Sequence, residues 1–76
     1  MITTKDDNVL IARVHAGFNQ SELARKAKVA PVLIGRVERG VGISPKTAKA
    51  ICEALNADFD ALFLIKQRDD KPRVPA

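Results

Sequence analysis

The sequence holds no tryptophan and no tyrosine, and only one cysteine and one histidine. With three phenylalanines (Phe18, Phe59, Phe63) as its whole aromatic complement, it lacks the platforms on which unpaired bases stack, so single-strand binding of that kind is not expected. Cys52 alone cannot close a disulfide within the chain. Short secreted domains usually carry several cysteines, so the cytoplasm is the expected compartment. Cys52 and His15 leave a zinc ion short of ligands, and neither a metal nor a cofactor is expected. Cys52 sits among Ala48, Ile51 and Leu55 at helical spacing and reads as core. No apolar run approaches the roughly 18 residues of a membrane helix, and the polar, acidic start from Met1 to Asn8 does not read as a signal peptide. No nucleophile stands with a base, no paired carboxylates suit a pocket, and no glycine-rich loop could cradle a phosphate, so an enzyme is not expected. Strand signals are missing as well: nothing alternates apolar and polar residues over any length, and no Asn-Gly or Asp-Gly turn occurs.

What remains is small, basic and rich in helix punctuation. Seventy-six residues suffice for one domain, and 46% hydrophobic content suffices for one core. The net charge of +4 is unevenly spread. Arg25, Lys26, Lys28, Arg36, Arg39, Lys46 and Lys49 share their stretch with a single acid, Glu38, for a local charge of +6; the rest of the chain is −2. A positive field concentrated in the middle third points to a nucleic-acid partner.

The punctuation divides the chain into five helices. The first starts after Thr3 or Thr4, with Asp6 and Asp7 at the positive end of its dipole, and runs to about Ala16, where Gly17 stops it. Asn19 caps the second. Glu22 completes a capping box, and Phe18 can staple onto Leu23. This helix covers residues 20–27. A turn of about three residues leads to Pro31, which suits a first helical position, and the third helix ends near Arg39 before Gly40. Ser44 and Pro45 open a fourth helix to about Leu55, and Asp58 caps a fifth from Phe59 to about Ile65. Residues 1–65 are expected to form the domain. Residues 66–76, charged and holding Pro72 and Pro75, are expected to be a disordered tail.

A three-residue connection forces helices two and three to cross steeply, as in a helix-turn-helix. Ala24 is small where they would come closest, and Leu23, Ala27, Val29, Ile34 and Val37 supply apolar contacts. The run Gly17-Phe18-Asn19-Gln20-Ser21-Glu22-Leu23-Ala24, followed by Val37-Glu38-Arg39-Gly40, resembles the Cro and phage-repressor (XRE-type) helix-turn-helix family, over roughly residues 9–63. The resemblance implies an all-α, five-helix, lambda-repressor-like domain that binds duplex DNA as a homodimer with its third helix in the major groove.

The resemblance also implies roles. Gln20 would hold a DNA phosphate at the start of helix two, where free N–H groups favour anions, with Asn19 beside it. Pro31, Val32, Gly35 and Arg36 would face the groove. Arg39 and Lys46 would meet phosphates. Arg13 and Glu38 match a pair that ties helix one to helix three. The chain departs from the pattern at several of these positions. Ala30 replaces the polar cap before helix three. Lys28 replaces the turn glycine and is expected at positive φ. Pro31, Val32 and Gly35 stand where base-reading polar residues are usual. Only Arg36 can make a bidentate contact to guanine, while Val32 suits a thymine methyl.

Helix one is apolar on more than one face. The family pattern buries Val9 and Ala12, which leaves Leu10, Ile11 and Val14 needing a cover: the chain's own tail, a dimer mate or another protein. Phe18, Phe59 and Phe63 read as core or dimer contacts, with Phe59 and Phe63 on helix five the competing dimer surface. Two functions therefore stand: a DNA-binding, repressor-like regulator, or a module that binds another repressor and masks its DNA surface.

Overall fold

The computed structural model describes residues 2–65. The element order is β1 (Ile2–Thr4), α1 (Asn8–His15), α2 (Gln20–Ala27), α3 (Pro31–Glu38), α4 (Pro45–Leu55), α5 (Phe59–Leu62) and β2 (Phe63–Ile65). The expected tail, residues 66–76, lies outside the described residues.

Local signals explain the helix boundaries. Asn19 Oδ1 accepts from the Glu22 N–H at 2.8 Å, and Glu22 Oε1 accepts from the Asn19 N–H at 2.8 Å, a closed capping box. Ser44 Oγ accepts from the Thr47 N–H at 3.2 Å at the head of α4, with Pro45 at the first position. Gly17 follows α1 at φ +82°, and Gly40 follows α3 at φ +92°. Both sit where a side chain would clash with the backbone. Lys28, with φ 62° and ψ 43°, ends α2 in the left-handed conformation.

The two strands correct the expectation of a chain without strands. They are antiparallel, with Ile2 opposite Ile65, Thr3 opposite Leu64 and Thr4 opposite Phe63. Ile2 also exchanges two backbone hydrogen bonds with Ile43, N to O at 3.2 and 2.8 Å. Three residues are too few for an alternating pattern to register, and the partners are some sixty positions apart, beyond any local signal. The strands also move two helix boundaries. Thr3 and Thr4 belong to β1, so α1 begins three or four residues later than expected. Asp7 occupies its N-cap position without a side-chain capping bond. Helix five is a single turn, because Phe63 leaves it at φ −132°, ψ 160° to pair with Thr4.

Polar bonds tie the start of the chain to this short helix. Lys5 Nζ donates to the Asp60 carbonyl at 2.8 Å, Asn8 Nδ2 to the Ala61 carbonyl at 2.8 Å, and the Lys5 N–H to the Leu62 carbonyl at 2.8 Å. Carbonyls that a one-turn helix cannot satisfy are thereby bonded.

One apolar cluster joins all elements: Val9 from α1, Leu23, Ala24 and Ala27 from α2, Ile34 and Val37 from α3, Ile51 from α4, and Leu62, Phe63 and Ile2 around the sheet. Ala24 is fully buried, as expected for the small residue where α2 and α3 come closest. Phe18 is half-buried against the cluster, with Lys26 Nζ 5.9 Å from its ring centroid. Cys52 is buried. Burial, then the nearby charges of Asp58 and Glu53, raise its thiol pKa, so it stays protonated and unreactive.

The left-handed Lys28 gives a direct test. That conformation costs a non-glycine residue roughly 1–2 kcal/mol, part of which the greater unfolded-state freedom of glycine returns. Lys28→Gly is expected to stabilise the domain by about 0.5–1 kcal/mol, seen as a higher urea midpoint with an unchanged slope. An unchanged or lower midpoint would show that the turn carries no strain.

Candidate nucleic-acid interface

Lys28, Val29 and Ala30 are the whole connection between α2 and α3. The Val29 N–H donates to the Ala24 carbonyl at 2.9 Å, closing the end of α2 before the chain turns. Ala30 then stands at the N-cap of α3 with no side-chain bond, and Pro31 occupies the first turn. Proline needs no partner there, which offsets the missing polar cap.

The turn presents one side of α3 to solvent. Pro31, Val32, Arg36 and Arg39 are exposed, while Ile34, Gly35 and Val37 are buried. Gly35 therefore differs from its expected groove-facing role. A Cβ at this position would lie 3.5 Å from Arg39 Nη1 and 3.7 Å from Gln20 Oε1, so the Gln20 and Arg39 side chains lie over it. It contributes room for those two residues rather than surface.

The start of α2 lies beside this face. Leu23 makes the first intrahelical bond, to the Asn19 carbonyl at 3.0 Å, and the Glu22 N–H is taken by the cap. The Gln20 and Ser21 N–H groups precede both bonds and sit at the positive end of the helix dipole. Asn19 is exposed, but its Oδ1 is engaged in the capping box, leaving Nδ2 for any outside acceptor. Lys46, in the first turn of α4, is exposed. Arg36, Arg39 and Lys46 form no ion pair among the described residues.

The one acid of the basic stretch is handled internally. Glu38 Oε2 accepts from Arg13 Nε at 2.6 Å, and Oε1 accepts from Arg13 Nη2 at 3.3 Å and from Gln20 Nε2 at 2.9 Å. Arg13 Nη1 also donates to the Phe18 carbonyl at 2.9 Å. The two charged side chains are only 12% and 8% exposed. Arg13 and Glu38 thus join α1 to α3, and Glu38 also holds the side chain that opens α2. Sequence reasoning missed the Gln20–Glu38 bond, because a separation of 18 positions carries no local pattern.

The partner-surface residues divide. Phe63 is 1% exposed and belongs to the core, so it cannot serve as a dimer surface. Its ring packs against that of Phe59, with centroids 5.5 Å apart and planes tilted by 40°, and Phe59 is half-buried. Leu10 is half-buried too. Ile11 and Val14 are exposed at 49% and 59%. Leu64 and Ile65 on β2 are also exposed, and sequence reasoning missed them as surface because it placed both in a helix.

Two helices crossing at a short turn, with a basic exposed side on the second, define a helix-turn-helix domain. A helix-turn-helix family model, HTH_3, matches residues 9–62. The chain belongs to this family, the XRE-type (Cro/C1-type) helix-turn-helix proteins, a class of DNA-binding transcription regulators. None of the curated proteins matches it. No helix among the described residues is long and apolar enough to cross a membrane.

The Arg13–Glu38 pair predicts an asymmetry in stability. Removing one partner of a nearly buried pair strands the other charge, whereas replacing both by apolar groups does not. Glu38→Ala is expected to cost about 3 kcal/mol, and the double variant Arg13→Met, Glu38→Leu to recover at least half of that loss in urea unfolding. A double variant no more stable than the single one would place the value of the pair in its charges.

Proposed function

We propose that this chain is a repressor-like transcription regulator that binds duplex DNA as a homodimer, with α3 in the major groove. The observation that carries the reading is the set of exposed basic side chains, Arg36, Arg39 and Lys46, unpaired among the described residues, beside the open start of α2, with the only acid of their stretch already neutralised by Arg13. Arg36 reads base edges. Arg39, Lys46, the Gln20 and Ser21 N–H groups and Asn19 Nδ2 hold phosphates. Pro31 and Val32 line the groove with apolar surface. Gly35 supports Gln20 and Arg39 from beneath.

In this reading two copies of α3 lie about one DNA turn apart, roughly 34 Å, over a near-palindromic site. The exposed Leu64 and Ile65 lie on β2, whose outer edge has no strand partner among the described residues, and they provide apolar surface for the second copy. Action on cellular DNA places the protein in the cytoplasm. The test is a selection from random duplex DNA at low and near-physiological salt. A symmetric motif containing guanine is the expected product, with affinity falling steeply as salt rises. Arg36→Ala is expected to lose about 1–3 kcal/mol on that site and little on random duplex. Equal loss on both would make Arg36 a phosphate contact.

A second reading rests on Ile11 and Val14, two large apolar side chains exposed on α1. In it the chain binds another repressor through α1 and masks that protein's DNA surface. Val14→Glu, at an exposed position, separates the two. Under the first reading, DNA affinity and folding are expected to stay within twofold of the parent. Under the second, the variant loses a protein partner captured by the parent chain, and neither protein selects a DNA motif.

A further inference from the structure

The exposed side of α3 is defined by what it cannot recognise. From Ala30 to Arg39 its exposed residues are Ala30, Pro31, Val32, Arg36 and Arg39. None carries a side-chain acceptor or amide. Adenine and cytosine are told apart in the major groove through their exocyclic amino groups, which need an acceptor such as Asn, Gln, Asp or Glu. Glu38 cannot serve, because both of its oxygens are engaged by Arg13 and Gln20. For the side chains of α3 itself, guanine and thymine therefore remain readable; the amide beside this face, Gln20 over Gly35, belongs to α2 and is tied to Glu38 through its Nε2. Guanine offers N7 and O6 to an arginine, and thymine offers a C5-methyl group to an apolar side chain.

Val32 is placed for the second task. It is 60% exposed, the most exposed large apolar side chain of the helix-turn-helix unit. Its branched side chain is stiff at χ1, so its methyl groups form a fixed apolar tip. It lies four positions before Arg36, which puts the two on one helix face with Cβ atoms roughly 5–6 Å apart. Base pairs are stacked about 3.4 Å apart, so the two side chains span one or two base-pair steps. Gly35, between them in sequence, adds no side chain to the face.

We propose that Val32 is a specificity-determining residue that packs on the C5-methyl of a thymine one or two base pairs from the guanine held by Arg36. The site is then read as a thymine and a guanine side by side, one by apolar contact and one by hydrogen bonds. This rests on the reading of α3 as the major-groove helix.

The test uses the full chain and the duplex returned by the selection, with two single-atom-scale changes. Deoxyuridine in place of the thymine removes only the methyl group, and 7-deazaguanine in place of the guanine removes only the N7 acceptor. For the parent chain, deoxyuridine is expected to weaken binding about threefold to tenfold, and 7-deazaguanine to weaken it as well. Val32→Ala, at an exposed position and checked by thermal unfolding, is expected to bind the thymine and deoxyuridine duplexes alike while keeping its loss on 7-deazaguanine. If the parent binds the thymine and deoxyuridine duplexes equally but still loses affinity on 7-deazaguanine, the Val32 assignment is overturned and DNA reading by Arg36 stands. A motif with no thymine within two base pairs of the guanine has the same meaning. A selection that enriches nothing overturns both.

Discussion

Glu38 is the single acid in the basic middle of the chain, and the character of the exposed basic surface depends on where its charge goes. Exposed on α3, it would repel phosphate. Held almost out of solvent by Arg13, it becomes a joint between α1 and α3, and its second oxygen fixes Gln20 at the start of α2. The same arginine holds the Phe18 carbonyl in the loop that leads into the capping box. One carboxylate thus sets the relation of three helices and removes its own field from the surface they build. A pair of this kind owes its value to completeness: with either partner gone, the remaining charge has no water to turn to.

The ends of the described chain are held by a different device. A one-turn α5 is too short to be stable alone. It persists because Lys5 and Asn8 bond its carbonyls and because Phe63 and Ile2 close the core beneath the two-stranded sheet. The sheet joins residues from both ends to Ile43 in the middle, so the loop between α3 and α4 is pinned by the start of the chain. That leaves α3 supported along its buried side by the core and exposed along its basic side.

Much of this was legible in the sequence because it is local. The capping box at Asn19 and Glu22, the serine cap at Ser44 and the stop at Gly17 each depend on residues within four positions, and each bond or angle appears where the residue types require it, whereas the left-handed Lys28 was expected from the family resemblance alone. The short turn before Pro31 and the small Ala24 likewise announce the crossing of α2 and α3. Gly35 was not legible. Its position on the helix matches one that the family resemblance assigns to the groove, but the side chains that come to lie over it, Gln20 and Arg39, arrive from one helix away and from one turn on. The conformation of Phe63 was misread for a related reason. A phenylalanine at helical spacing after Phe59 fits a continued helix, and only its pairing with Thr4 turns it into the core.

The sequence by itself determined α2, α3 and α4, the caps at Asn19 and Ser44, the family and the concentration of positive charge, because periodicity, capping chemistry and composition act over a few residues. The tertiary structure decided which groups meet across long separations: the pairing of β1 with β2, the burial of Phe63, the covering of Gly35 by Gln20 and Arg39, and the sharing of Glu38 between Arg13 and Gln20. These follow from packing and from the need to pair every buried polar group, and both are properties of the folded whole rather than of any short stretch of chain.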